Sequence, residues 1–513
     1  MQNNIGLFLG KRAFISPDVE AVVEPDSGRR FTYRHLDDRC NQVARALSGS
    51  GVTKGDRVGL LMMNGVEFVE SFLAIAKIGA VVVPLNWRLV PDELEFILKD
   101  SGTSLLMFGS EFIEPVSELQ RRGPATDIRR WIQVGGDGSA PFADGYDAWM
   151  GHASIDAPPI VGDGDDNLFI MYTSGTTGLP KGVVHTHNTV MWSLLTIAAT
   201  ADIRFRDIYL VSLPLFHVGA LAPGLGNIYK GATMVIPRGF DPRQTWEVIR
   251  DEQVTSGLLV PAMLQFMLAV YDEHRHDANT VRWIMSGAAP VPVTLIKAYE
   301  ALDIEIHQVY GLTESCGPAC LISPDDALTR AGSTGKAFFH TLVKLVDDDG
   351  GECPPGVAGE VLVKGPHIMK EYWNRPDATA STLRHGWLHT GDVATMDADG
   401  FVTIMDRVKD MLISGGPDAH PAEIENVLLG NPGVADAAVI GIPSAKWGES
   451  PFAIVVRKDP AINEADIIES CKGKLAPFKM VKAVAFVDEI PRNPSGKILK
   501  RVLRQQFADI STP

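Results

Sequence analysis

Between residues 57 and 85 the chain runs through an apolar stretch, a helical pattern and a second apolar stretch: RVGLLMM at 57–63, VEFVESFLAIAKIG at 66–79 and AVVVPL at 80–85. The two stretches are apolar nearly throughout rather than alternating, which is the pattern of strands buried on both faces in a parallel sheet. That grammar commits the chain to α/β layers, and it continues to about residue 340. A Gly/Asp/Pro-rich stretch from Gly135 to Asp166 interrupts it and reads as a long surface connection. Beyond it, LFIMY at 168–172 reads as a buried strand that runs into a Gly/Thr-rich loop. After residue 340, short β-like runs separated by DDDGG and DADG turns predict a β-rich subdomain. A compact α+β unit follows Asp406, with helices at 421–429, 463–477 and 499–507 and strands at 435–442, 451–457 and 483–488. The predicted fold class is α/β. A large N-terminal domain of parallel and mixed sheets flanked by helices, with the β-rich subdomain, spans 1–408, and a small α+β C-terminal domain spans 409–513.

A chain of 513 residues needs at least two cores, and its 45% hydrophobic content is that of a globular enzyme. Its formal charge of −16 argues against a nucleic-acid partner, since phosphate backbones call for a basic footprint. Five cysteines, an odd number without a CxxC pair, suggest a reducing compartment, so the expected location is cytoplasmic. Lys11 and Arg12 follow the short apolar start instead of preceding it, which is not the order of a secretory signal. No apolar run of spanning length occurs, so only peripheral membrane contact is left open. A homodimer is also left open. The charge inverts locally: nine basic residues (Lys472, Lys474, Lys479, Lys482, Arg492, Lys497, Lys500, Arg501, Arg504) face only Asp488 and Glu489. Either this is a solvated face or the small domain approaches a polyanionic small molecule.

The densest chemical signal is residues 171–182, MYTSGTTGLPKG. Glycines at 175, 178 and 182 leave backbone N–H groups unshielded, and Thr173, Ser174, Thr176, Thr177 and Lys181 add donors, a combination suited to a chain of phosphates. It is not a P-loop, because Pro180 precedes Lys181 and Gly182 follows it. His185 and His187 suggest a metal only weakly, since no Cys or carboxylate cluster completes a site.

This segment resembles the phosphate-binding loop of the adenylate-forming superfamily, which includes acyl- and aryl-CoA ligases. Further motifs follow in the family's order. Tyr310-Gly311-Leu312-Thr313-Glu314 resembles its YGxTE motif and Trp387-Leu388-His389-Thr390-Gly391-Asp392 its TGD motif. Asp406-Arg407-Val408-Lys409-Asp410 resembles the interdomain segment and Pro494-Ser495-Gly496-Lys497-Ile498 the motif bearing a catalytic lysine. The resemblance implies two half-reactions: a carboxylate attacks the α-phosphate of ATP to give an acyl-adenylate and pyrophosphate, and the thiol of coenzyme A then displaces AMP. It implies Mg²⁺ near Glu314 and Thr173, with Lys497 on the developing charge. Asp392 and Arg407 are the implied ribose ligands, and Gly287, Ala288, Ala289 and Tyr310 the adenine slot, with Gly311 and Thr313 beside it. Lys409 is the implied hinge. Gly415, Gly416 and Trp447 are the implied contacts of coenzyme A. Where many of the family's ligases read Gly-Gly-Glu-Asn, this chain reads Gly415-Gly416-Pro417-Asp418, which removes donors along the thiol tunnel.

His217 occupies the place of the family's gate between acyl pocket and adenylate; a core histidine is the competing reading. The implied pocket is Trp192, His217, Val218, Gly219, Val260, Val309, Gly311 and Cys316, with Gly219 and Gly311 expected to leave room for a bulky acyl group. The small-molecule partners are then a carboxylic acid, ATP and coenzyme A. A medium- or long-chain fatty acid leads, an aryl acid of the cinnamate or benzoate type is the nearest rival, and transfer to a separate carrier protein is the third reading.

Overall fold

The computed structural model describes residues 3–173, 179–274, 276–289, 291–407, 412–413, 418–419, 421–444, 448–472, 474–475, 479–492 and 498–511. Within them, one eight-stranded sheet has the order Glu371–Tyr372, Lys181–Thr186, Asn167–Thr173, Val81–Pro84, Arg57–Leu61, Thr103–Gly109, Arg130–Val134 and Asp144–Gly145. Its inner neighbours are parallel, as the doubly apolar runs require. A nine-stranded sheet runs from Lys336–Ala337 through Cys320–Leu321, Glu305–Tyr310, Trp283–Ser286, Ser256–Leu258, Ile208–Leu210 and Thr233–Val235 to Glu20–Glu24 and Arg29–Thr32. It is parallel in its centre and antiparallel at both edges.

One core takes side chains from both sheets, among them Val58, Val82, Val22, Met234 and Trp283. The helix Val66–Lys77 lies in it with every residue but Glu67 buried. A helix apolar all round is what a doubly covered position demands, and its two buried charges are both compensated. Glu70 takes two 2.7 Å bonds from Arg39 and a third from the Tyr146 hydroxyl, also 2.7 Å. Lys77 Nζ lies 2.6 Å from both Asp37 and Asn41.

That tyrosine corrects the reading of 135–166 as a plain surface connection. The stretch holds the strand Asp144–Gly145 and the helix Tyr146–Gly151, and Tyr146 and Met150 are buried. Two large apolar anchors are enough to fold a turn onto the core despite the surrounding glycines and aspartates.

The β-rich subdomain is a five-stranded antiparallel sheet of Leu342–Val346, Gly359–Lys364, Leu383–Arg384, Trp387–Met396 and Val402–Arg407. Further on, Val434–Ser444, Gly448–Arg457 and Ala483–Val487 form a separate sheet. Ile424, Leu428, Val439, Val455 and Ile467 pack in one cluster and Ile440, Phe452, Ile454 and Leu503 in another, so strand alternation serves two apolar layers. The helix predicted over 463–477 is shorter, Glu464–Ser470, capped at its start by the Asn463 side chain and ending before Gly473 and Pro477.

Candidate active site

Strand Asn167–Thr173 closes one end of the parallel run, and it turns back to pair antiparallel with Lys181–Thr186, with Thr173 opposite Lys181. Ser174, Gly175, Thr176, Thr177 and Gly178 connect this hairpin and lie outside the described residues. The edge strand Glu371–Tyr372 then pairs with Lys181–Thr186, and the Trp373 amide donates to the Gly182 carbonyl at 2.7 Å. This brings Tyr372 between two predicted site residues. Its hydroxyl donates to Glu314 Oε1 at 2.7 Å, and the Lys181 ammonium stands 5.0 Å from the centre of its ring. Sequence reasoning missed Tyr372 as a site residue, because nothing local marks a tyrosine 58 positions from its carboxylate partner.

The neighbouring strands Trp283–Ser286 and Glu305–Tyr310 run in parallel and deliver Gly287 and Gly311 at their ends. A Cβ on Gly287 would stand 2.3 Å from the Val309 carbonyl oxygen, and one on Gly311 only 1.4 Å from that of Gly317. Both glycines are therefore demanded by backbone packing. This corrects the expectation that Gly311 opens acyl space, because the place of its missing side chain is filled by the carbonyl of Gly317. Gly219 is tight as well, with a Cβ 3.3 Å from His217 Nδ1. Ala288 sits in the left-handed region with φ 66°, and Ala289 follows it.

Tyr310 is buried and its hydroxyl donates to Asp392 Oδ2 at 2.7 Å. Burial, together with the Asp392 charge, holds the phenol far above its usual range, so it stays a donor. Asp392 stands directly opposite Arg407 in the antiparallel ladder. The segments predicted to hold base and ribose thus meet through Tyr310 and Asp392.

His217 is half-buried, and its Nδ1 accepts from the Gly219 amide at 3.2 Å, which caps the helix Val218–Lys230. Burial pushes the imidazole down to about 4. With Nδ1 an acceptor, the neutral ring carries its proton on Nε2. Val218 and Val260 are buried and Val309 is half-buried. Trp192 meets His340 edge-on at 5.2 Å, and the next residue, Ser193, donates to the carbonyl of buried Cys316 at 2.9 Å. Thr313 is buried, and its carbonyl lies 2.8 Å from His185 Nε2. His187 Nδ1 accepts the Ile5 amide at 3.0 Å. Both histidines are thus engaged in the interior, and among the described residues no group of three His, Cys, Asp or Glu could hold a metal.

Lys409, Gly415, Gly416, Trp447 and Lys497 lie outside the described residues. Of the basic run, Lys479 pairs with Glu423 at 2.6 Å, Arg492 with Asp436 at 2.8 Å and Lys500 with Glu425 at 3.1 Å. For these three the run reflects internal pairing.

Residues 10–373 match the model of the AMP-binding enzyme family, and residues 423–497 that of the AMP-binding enzyme C-terminal domain. The chain belongs to the AMP-binding enzyme family. It is 45% identical to the long-chain-fatty-acid–CoA ligase FadD13 of Mycobacterium tuberculosis over 98% of this chain and 99% of that one. It is 38% identical to a feruloyl-CoA synthase of Amycolatopsis sp. over 98% and 99% of the two chains. The anthranilate CoA ligase AuaEII in complex with anthranoyl-AMP superposes with a TM-score of 0.92 at 29% identity, over 99% of this chain and 98% of that one. Membership in this family makes the adenylate-forming α/β architecture the frame for the hairpin, the glycine-lined slot and the Tyr310–Asp392 pair. No helix among the described residues is long and apolar enough to cross a membrane.

The residues near the hairpin also suit a magnesium ion. Glu314 spends one carboxylate oxygen on Tyr372 and, with the Thr173 hydroxyl, offers hard oxygen donors of the kind that share Mg²⁺ with phosphates.

Proposed function

We propose that this protein joins an apolar carboxylic acid to coenzyme A in two steps, forming an acyl-adenylate and pyrophosphate from ATP and then releasing AMP as the thiol takes the acyl group. The observation that carries the reading is the convergence of the hairpin, Glu314 with Tyr372, and the Gly287–Gly311 slot with Tyr310 and Asp392, in a chain that matches the ligase FadD13 over 98% of its length.

In the first step the hairpin from Thr173 to Lys181, with Ser174, Gly175, Thr176, Thr177 and Gly178, holds the triphosphate through backbone and hydroxyl donors. Gly287, Ala288, Ala289, Tyr310 and Gly311 take the base, and Asp392 with Arg407 takes the ribose. Glu314 and Thr173 would hold Mg²⁺, which neutralises charge that builds between two anions. His217, neutral and with its proton on Nε2, stands at the border of acyl pocket and adenylate. It donates without adding a charge that would trap the carboxylate. Lys497 stabilises the transferring phosphate in this step.

The domain from 409 to 513 then turns about Lys409, and Gly415, Gly416 and Trp447 form the passage for the pantetheine arm. Pro417 and Asp418 give this passage fewer donors. Trp192, Val218, Val260, Val309 and Cys316 line the acyl site. A fatty acid is the leading substrate, supported by likeness to FadD13; the feruloyl-CoA synthase relative supports an aryl acid as the rival. The five free cysteines fit a reducing cytoplasm.

The test is acid-dependent ATP–pyrophosphate exchange over a panel from hexanoate to palmitate, with ferulate and benzoate, each with and without coenzyme A. A fatty acid should support exchange and a coenzyme A-dependent thioester. Exchange without thioester would transfer the second step to another acceptor, and a preference for ferulate would reverse the substrate order.

A further inference from the structure

Glu314 sits on the short turn Thr313–Ser315, and each carbonyl of that turn has a donor from elsewhere in the fold. His185 Nε2 lies 2.8 Å from the Thr313 oxygen, the Met369 amide donates to the Glu314 oxygen at 2.8 Å, and His367 Nδ1 lies 2.8 Å from the Ser315 oxygen. A carbonyl only accepts, so the two rings hold their protons on opposite atoms, Nε2 in His185 and Nδ1 in His367. The remaining nitrogens face hydroxyls. His185 Nδ1 is 3.1 Å from Thr189 Oγ1, and His367 Nε2 is 2.7 Å from Thr341 Oγ1. Both rings have no exposed surface, and burial pushes each down to about 4, so they are neutral donors at physiological pH. His185 belongs to the hairpin strand Lys181–Thr186, and its ring packs 5.1 Å from that of Phe169 on the other hairpin strand. The hairpin and the turn of Glu314 are therefore joined by one imidazole.

We propose that His185 and His367 are positioning residues for Glu314, clamping its turn from two sides so that the carboxylate is held against the hairpin and the magnesium–nucleotide complex. This rests on the reading of Glu314 as the acid that meets that complex. Partners that orient a metal-binding group typically carry 10- to 100-fold in affinity or activity. Neither histidine touches a reacting atom, so the effect should show as a raised Mg²⁺ requirement of the adenylation step, with the KM for the acid unchanged.

Amide substitutions separate donation from mere filling. His185→Gln and His367→Asn keep an N–H near the donating ring position, while His185→Asn and His367→Gln keep an amide of similar size but move its N–H. In Mg²⁺ titrations of pyrophosphate exchange, and of ATP binding measured by equilibrium dialysis in the absence of acid, the first pair should stay near the parent midpoint. The second pair should shift to higher Mg²⁺ by about tenfold or more, on the scale of lost orienting partners. The midpoint does not depend on the folded fraction of a preparation, so modest instability leaves the comparison intact. Equal midpoints for matched and mismatched amides would overturn the proposal, as would a shift in both pairs alike. Glu314→Gln is the separate arm: full activity there sinks the reading of Glu314 itself. An inactive Glu314→Gln beside unshifted histidine variants sinks the positioning role alone.

Discussion

Replacing Gly311 with alanine adds a single methyl group where the backbone of Gly317 already stands. The new carbon would lie 1.4 Å from the Gly317 carbonyl oxygen and 2.7 Å from its carbon, where ordinary contact begins at 3.4 Å. One of the two segments has to retreat by about 2 Å, and both belong to the slot: Gly311 follows Tyr310, and Gly317 closes the turn that begins at Thr313. The obstacle is backbone, so no rotamer change relieves it. A misplacement of about 1 Å at a reacting centre can already cost about 100-fold, so Gly311→Ala should lose at least that much in pyrophosphate exchange. Overpacking should also lower stability by roughly 1–3 kcal/mol in urea unfolding. Gly226, inside the helix Val218–Lys230, is the internal control, because a Cβ there meets nothing within 4 Å. Gly226→Ala should keep activity and gain up to about 1 kcal/mol from helix propensity. Exchange at the parent rate in Gly311→Ala, with an unchanged unfolding midpoint, would refute the reasoning that the slot is set by backbone contact.

Asp392→Asn preserves the acceptor for the Tyr310 hydroxyl but removes the charge; hydrogen bonds to charged groups are worth about 1.5–3 kcal/mol, so the KM for ATP should rise roughly 10- to 100-fold with little change in unfolding, and an unchanged KM would remove Asp392 from the ribose site. His185, His187 and His367 are each pushed down to about 4 by burial, whereas an unfolded histidine titrates near 6.5. The unfolded chain thus binds more protons between these values, so stability is fully present above about 6.5 and is lost as pH falls toward 4. Urea unfolding at stepwise pH should show this decline, and a flat profile over that window would contradict it.

The alternation of apolar runs and helical patterns made the layered α/β body legible, because burial on both faces leaves a direct mark on composition. The hydroxyl-rich composition of 171–182 marked a candidate phosphate loop for the same local reason. That the strands flanking it pair with each other was not legible, since antiparallel pairing of Asn167–Thr173 with Lys181–Thr186 depends on what covers the sheet edge. Tyr372 comes from that covering strand. Gly311 was misread because a missing side chain looks the same in sequence whether ligand or backbone fills its place. His185 carried only a weak metal signal beside His187, and its actual partners, the Thr313 carbonyl and Thr189, are distant or unremarkable in sequence. Tyr146 was hidden among glycines and aspartates, although its hydroxyl completes the shell of buried Glu70.

The two-step account is tested most directly by single-turnover quenching with excess protein, limiting ATP and a fatty acid that supports exchange, first without coenzyme A and then with it. Without the thiol, acyl-adenylate and pyrophosphate should form together in equal amounts and the adenylate should remain on the protein. Adding coenzyme A should convert it into thioester and AMP in the same amount. Thioester appearing with no preceding adenylate, or ADP and phosphate in place of AMP and pyrophosphate, would contradict the account.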